Sequence, residues 1–194
     1  MIDSTIEVPL FYDEILHQSQ QVGFKMPSDK ATGALLRALA SSKPRSRFLE
    51  LGTGTGLGAC WLLEGMDPDS TLLSVEFDER YHRIAQKSLL HDKRLQLVLE
   101  EGLSFLEKLT DDSFDFIYAD TWPGKYVGFE HSLRILKKGG IIVLDDMLPQ
   151  PNWPEDHPPK VEKLLQEIDE LPRNIYSVVR QCWYTGHILI TKKA

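Results

Sequence analysis

The sequence predicts an α/β fold built around a parallel sheet, and three observations carry that prediction. Short apolar runs alternate with segments of helical period along the whole chain. Most of these runs are rich in Val, Ile, Leu or Phe throughout, as strands covered on both faces are. The first run, Phe48-Leu49-Glu50-Leu51, leads directly into the glycine-dense turn Gly52-Thr53-Gly54-Thr55-Gly56-Leu57-Gly58 and then a helix. With 194 residues, 42% of them hydrophobic, the chain suits one compact domain over 1–194 with a sizeable core. It contains no repeat and no low-complexity segment.

In chain order, Phe11 and Ile15, then Leu35, Leu36 and Leu39, mark two helices within residues 1–44. Strands are expected at Arg47 to Leu51, Thr71 to Glu76, Leu95 to Leu99, Phe114 to Ala119 and Gly140 to Asp145. Asp78 is a suitable N-cap for a helix carrying Tyr81, Ile84, Ala85 and Leu89 on one face. Lys137-Lys138-Gly139-Gly140 reads as a helix stop, with basic residues followed by glycine. Pro149, Pro151, Pro154, Pro158 and Pro159 then force a non-helical excursion from about Met147 until a helix restarts near Pro158. A loop of this length beside the carboxyl edge of a sheet often covers a site, so residues 147–160 form a candidate lid. Ile175 to Gln181 and Gly186 to Lys192 form a terminal strand pair.

A formal net charge of -7 and a pI near 5.4 argue against a nucleic-acid partner and an anionic membrane face, while a cationic ligand is welcome. Asp3, Glu7, Asp13 and Glu14 interrupt the N-terminal segment, so neither a membrane span nor a secretory signal is expected and the chain reads as cytoplasmic. Cys60 and Cys182 are too far apart in sequence for a metal knuckle or redox pair and read as structural thiols. His17, His82, His91, His131, His157 and His187 show no ligand spacing and read as surface or packing residues.

Alternate glycines let a backbone turn tightly against a ligand, and the helix that follows presents unpaired N–H groups to it. Gly54-Thr55-Gly56-Leu57-Gly58-Ala59 also fits the dinucleotide pattern, but Glu50 would stand near a pyrophosphate there. S-adenosylmethionine has no phosphate and carries an amino group and a sulfonium, so Glu50 fits it better. Glu76, ending the second strand, is placed to accept the ribose hydroxyls of either cofactor. A dehydrogenase would also need a substrate domain, which this length hardly supplies.

On these segments the chain resembles a class I S-adenosylmethionine-dependent methyltransferase of the catechol O-methyltransferase-like group. The resemblance covers most of the sequence and weakens from Met147 to Asn174. It implies a Rossmann-like, doubly wound, seven-stranded sheet, mostly parallel with an antiparallel last strand and helices on both faces. In that group the stretch matching Met26 through Gly33, with Met26 and Ser28, borders the methyl donor. Gly52, Thr53, Gly54, Gly56 and Gly58 form the glycine motif, Glu76-Phe77 the ribose and adenine-edge motif, and Glu101-Gly102 the adenine side. Asp120 and Trp122, followed by Tyr126, match a motif that frames the chemistry, with Trp122 beside the adenine.

The resemblance also implies a divalent cation such as Mg2+ held by Asp120, Asp145 and Asp146, where the group usually has Asn at the last position. Such a metal would bind and acidify a substrate hydroxyl; the alternative is that these aspartates cap loops or hold the cofactor. Where many relatives carry a catalytic lysine this chain has Pro123, and Lys125, two residues on, is read either as a base, a solvated lysine or a cofactor contact. Trp153 in the proline loop suggests a lid or a subunit contact, and a homodimer is among the expectations. The expected activity is O-methylation of a small phenolic or catechol-like molecule. A metal-independent methyltransferase acting on another nucleophile and a non-catalytic S-adenosylmethionine-binding protein are the alternatives.

Overall fold

The computed structural model describes residues 5–194; Asp3, invoked above, lies outside them. The elements run α1 (Tyr12–Gln21), α2 (Lys30–Ser41), β1 (Arg47–Leu51), α3 (Leu57–Gly65), β2 (Thr71–Glu76), α4 (Glu79–Leu89), β3 (Leu95–Leu99) and α5 (Gly102–Glu107). They continue with β4 (Phe114–Ala119), α6 (Phe129–Ile135), β5 (Leu136–Leu144), α7 (His157–Asp169), β6 (Tyr176–Gln181) and β7 (His187–Lys192). The seven strands form one sheet in the order β3-β2-β1-β4-β5-β7-β6, in which β7 alone runs against the rest.

Both faces of the central strands are buried, and successive side chains feed two different cores, as the period of two demands. Leu49, Leu51, Ile117, Ala119, Ile142 and Leu144 meet α5, α6 and α7 residues such as Leu106, Ile135 and Leu164. Phe48, Phe116, Tyr118 and Val143 meet the α1–α3 side through Ile15, Leu36 and Trp61. Each fully buried Leu, Ile or Phe contributes about 1.5–3 kcal/mol against the entropy of ordering the chain.

Four strands have the expected limits, and Asp78 caps α4 by accepting from the Arg80 amide. The helix stop at Lys137-Lys138-Gly139-Gly140 is corrected. The helix ends at Ile135, and those residues lie inside β5, where the register against β4 shifts between Phe114 and Phe116. Gly139, at φ 76°, accommodates this irregularity, and Lys137 pairs with Asp115 at 2.8 Å instead of capping a helix. Among the described residues no helix is long and apolar enough to cross a membrane.

Candidate active site

The chain goes from β1 to one side of the sheet and from β4 to the other, so the crevice beyond the carboxyl ends of these neighbouring strands is the topological switch point. Gly52 leaves β1 there and Asp120 leaves β4, and the Asp120 amide donates to the Leu51 carbonyl at 3.1 Å. On the β1 side, Gly52, Gly54 and Gly56 all have positive φ, and the Gly52 and Thr53 amides both donate to the Val75 carbonyl. Thr55 Oγ1 pairs with Ser19 Oγ at 2.6 Å, tying α1 to the turn.

Glu76 reaches into this turn. Its Oε2 accepts from the Gly54 amide at 2.7 Å, and its Oε1 accepts from the Phe77 and Asp78 amides, leaving Oε2 with an unused acceptor direction. Glu50 lies beneath, fully enclosed, with Ser74 Oγ donating to Oε2 and no partner on Oε1. Burial, reinforced by Asp120 and Glu76, pushes its carboxyl up to about 8 despite the Ser74 bond. Gly58 is required by close approach, since a Cβ there would stand 2.4 Å from Glu50 Oε1. Met26, Phe77 and Trp122 present exposed apolar surface along the same edge. Glu101, expected on the adenine side, caps α5 by accepting from Leu103 and Ser104 amides, and Gly102 lies against Pro123.

On the β4–β5 side the side chains form a connected network. Ser28 Oγ donates to Asp120 Oδ2 and pairs with the Tyr118 hydroxyl, both at 3.2 Å, which joins the segment before α2 to the end of β4. Tyr118 in turn donates to Asp145 Oδ2 at 2.9 Å. Asp145 Oδ1 accepts from Thr185 Oγ1 and the Asp146 amide, both at 2.6 Å, and lies 3.2 Å from His187 Nε2. Thr32 Oγ1 donates to Asp29 and therefore accepts from His187 Nε2 at 2.8 Å, which fixes that ring nitrogen as the protonated one. Burial opposes the charge on Asp145, but the bonds from His187, Thr185 and the Asp146 amide outweigh it and hold the carboxyl below the usual range. Asp120, partly exposed, has the opposite shift: desolvation and the Asp145 charge raise it, against Lys125.

The loop after β4 sends Lys125 inward. Gly124 has φ 79° and its would-be Cβ would lie 2.4 Å from Leu51 Cδ1, so only glycine lets the chain reverse beneath Pro123. Lys125 is consequently buried and its Nζ donates to the Asp145 carbonyl oxygen at 2.9 Å. Burial lowers its pKa, and Asp120, Asp146 and Asp145 act the other way. Its reading as a solvated lysine is corrected.

The proline loop closes over this corner. Trp153 Nε1 donates to both oxygens of Asp146 at 2.8 Å, and the indole stacks on the His157 ring with centroids 4.1 Å apart. His157 Nε2 pairs with the Tyr126 hydroxyl at 2.9 Å and faces Asp146 Oδ2 at 3.8 Å. Each aspartate of the expected metal set accepts hydrogen bonds from the protein here. The oxygens of Asp145 are taken by protein donors and those of Asp146 by Trp153, and among the described residues no group of three or more His, Cys, Asp or Glu is arranged to hold a metal ion.

The structure thus gathers Ser28, the glycine turn, Glu76, Asp120, Asp145 and Asp146 at one edge, with Glu50 beneath it. Sequence reasoning missed Tyr118, Thr185, His187 and the Trp153–His157 stack; the Pro123-Gly124 turn was the available signal that Lys125 points inward. A cavity of about 410 Å3 lies elsewhere, between the end of α7 and β6.

Comparisons with known proteins agree with this fold. Residues 7–180 match the family model described as O-methyltransferase. The "Putative O-methyltransferase" of Mycobacterium sp. (strain JLS) is 32% identical over 119 residues, which are 59% of this chain and 54% of that protein. The chain therefore spans about half the length of this curated relative. Among solved structures, an O-methyltransferase from Bacillus cereus in complex with SAH superposes with a TM-score of 0.81 at 20% identity, covering 98% of this chain and 94% of the other. The SAH-bound methyltransferase of Podospora anserina gives 0.82 at 20% identity, covering 99% and 92%. At such identity these two likenesses establish the fold.

Proposed function

Because the chain belongs to the O-methyltransferase family, we propose that it transfers a methyl group from S-adenosylmethionine to the oxygen of a small hydroxylated, phenol-like molecule. The observation that carries this reading is the switch-point crevice, where the positive-φ glycine turn and the amide-held Glu76 face Asp120 across the β1–β4 boundary. The cofactor fits these residues. Glu76 Oε2 keeps an acceptor direction for a ribose hydroxyl, Phe77 and Trp122 offer apolar surface to a purine, and the unpartnered Glu50 Oε1 leaves a buried polar atom under the turn. Bound there, the cofactor supplies an electrophilic methyl on its sulfonium.

The chain's own residues do the rest. Ser28 holds one oxygen of Asp120, leaving Oδ1 to take the proton of the acceptor hydroxyl, and the raised pKa of Asp120 suits it to that transfer near neutrality. Trp153, His157 and Tyr126 wall the acceptor corner, where positioning and exclusion of water lower the barrier. The net charge of -7 favours a small molecule over a nucleic acid as acceptor. Donor turnover over a panel of phenols and catechols tests the proposal, with transfer expected in the wild type and at least a 100-fold loss in Asp120→Asn, on the order of what a positioned acid–base group supplies. The buried Lys125 beside Pro123 favours a second reading, a non-catalytic binder of the cofactor. Binding of S-adenosylmethionine without turnover of any acceptor would select it.

A further inference from the structure

The cavity of about 410 Å3 between α7 and β6 stands apart from the crevice described above, because Tyr176 pairs with Lys192 at the end of β7 remote from His187. Its floor is apolar. Ile168 is 3% exposed, and Leu171, Tyr176 and Val178 pack against the core beneath α5, α6 and α7. Arg180 lies on the same face of β6 as Tyr176 and Val178, since side chains alternate along a strand. In the turn before β6 the Pro172 carbonyl accepts from the Ile175 and Tyr176 amides, both at 2.9 Å, and this reversal sets the exposed Arg173 against the cavity. The Lys193 amide donates to the Ile175 carbonyl at 2.7 Å, which brings a third cation to the same place.

The lining thus holds three cations, Arg173, Arg180 and Lys193, against one carboxylate, Asp169, on a chain whose net charge is -7. Arg180 donates to Asp169 at 2.6 Å, and Lys193 Nζ donates to the Arg173 carbonyl oxygen. The Arg173 guanidinium and the Tyr176 and Ser177 hydroxyls have no protein hydrogen-bond partner among the described residues. A concave surface dominated by one sign of charge concentrates ions of the other sign. Three cations less one carboxylate leave two positive charges. A phosphate monoester carries about -1.5 to -2 near neutrality and presents three acceptor oxygens, so it matches that excess better than a single carboxylate does. The volume falls in the range that small organic ligands occupy, roughly 300–1,000 Å3.

We propose that this cavity binds a small phosphate monoester, with the phosphate held by Arg173, Lys193 and the Ser177 hydroxyl and the apolar body laid on Ile168, Leu171 and Val178. Nothing in this binding requires methyl transfer, and either can fail alone.

Calorimetric titration with hexyl phosphate at an ionic strength of about 20 mM tests the site, with inorganic phosphate, hexanoate and hexanol as partial probes. Hexyl phosphate is expected to fill one site with a dissociation constant below about 1 mM, and each partial probe to bind at least about tenfold more weakly. Arg173→Gln, an exposed change that spares the core, should weaken hexyl phosphate at least about tenfold. Raising the ionic strength to about 200 mM should weaken it several-fold. Asp169→Asn removes the carboxylate and releases Arg180, and is expected to tighten binding about two- to fivefold. Absence of saturable binding by hexyl phosphate would overturn the proposal, as would equal binding of any partial probe or wild-type affinity in Arg173→Gln. So would a dimer in sedimentation that Arg173→Gln dissolves, because a second copy would then be the occupant.

Discussion

The two halves of the carboxyl edge manage their carboxylates by different means. On the β1–β2 side, Glu76 is held by main-chain amides of Gly54, Phe77 and Asp78, groups fixed once the turn has formed. On the β4–β5 side, Asp120, Asp145 and Asp146 depend on side chains from remote segments: Ser28, Thr185, His187 and Trp153. A site held by backbone tolerates substitution around it and fails mainly when the backbone path is altered. A site held by side chains can be dismantled one partner at a time, because each loss leaves a buried polar group unpaired.

His187→Ala probes that contrast most severely. It removes a fully buried partner of Asp145 and the donor to Thr32 Oγ1, at an expected cost of about 3–5 kcal/mol in denaturant unfolding. A cost below about 1 kcal/mol would mean the network is not the cooperative unit described here.

Glu50 gives the next effect, through pH. Its folded-state carboxyl titrates at about 8 against an ordinary 4.5, so the folded protein keeps a proton that the unfolded chain has released. Stability is therefore full below 4.5 and falls as pH rises toward 8, at up to about 1.4 kcal/mol per pH unit. Glu50→Gln should flatten that slope in melts across the window; an unchanged slope would place its origin in other groups.

Gly58→Ala follows. The added methyl meets the buried Glu50 carboxyl, which Ser74 holds on its other oxygen, and about 1–3 kcal/mol of stability should be lost together with affinity for S-adenosylhomocysteine in calorimetry. Asp146 retains some solvent contact, so Trp153→Phe should cost only about 1 kcal/mol while raising the KM for the acceptor more than that for the donor. Equal changes in both would detach Trp153 from the acceptor corner.

The same contrast explains what the sequence made legible. Strands β1 to β4 and the glycine turn are written in contiguous residues, where apolar runs, Asp78 and glycine spacing act locally, and their limits match the reading. β5 starts earlier than expected because an irregular register against β4 absorbs Lys137 to Gly139, and a bulge of that kind is decided by the neighbouring strand. The aspartates at the ends of β4 and β5 were visible, but their partners were not. His187 and Thr185 are brought to Asp145 by tertiary pairing, and no spacing along the chain marks them. Lys125 was visible as a residue, but its direction followed from the backbone reversal at Gly124.

The antiparallel placement of β7 has a consequence for synthesis. β6 is made before β7 but neighbours only β7, and β7 must slide between it and β5, pairing Ile142 with Ile190 and Val178 with Ile190 across its two edges. β6 therefore has no neighbour in the sheet until β7 is in place. Thr185 and His187 arrive with this last insertion, so Asp145 acquires them only when the sheet closes. The two side chains that complete the Asp145 hydrogen bonds are thus among the last parts of the chain to be made.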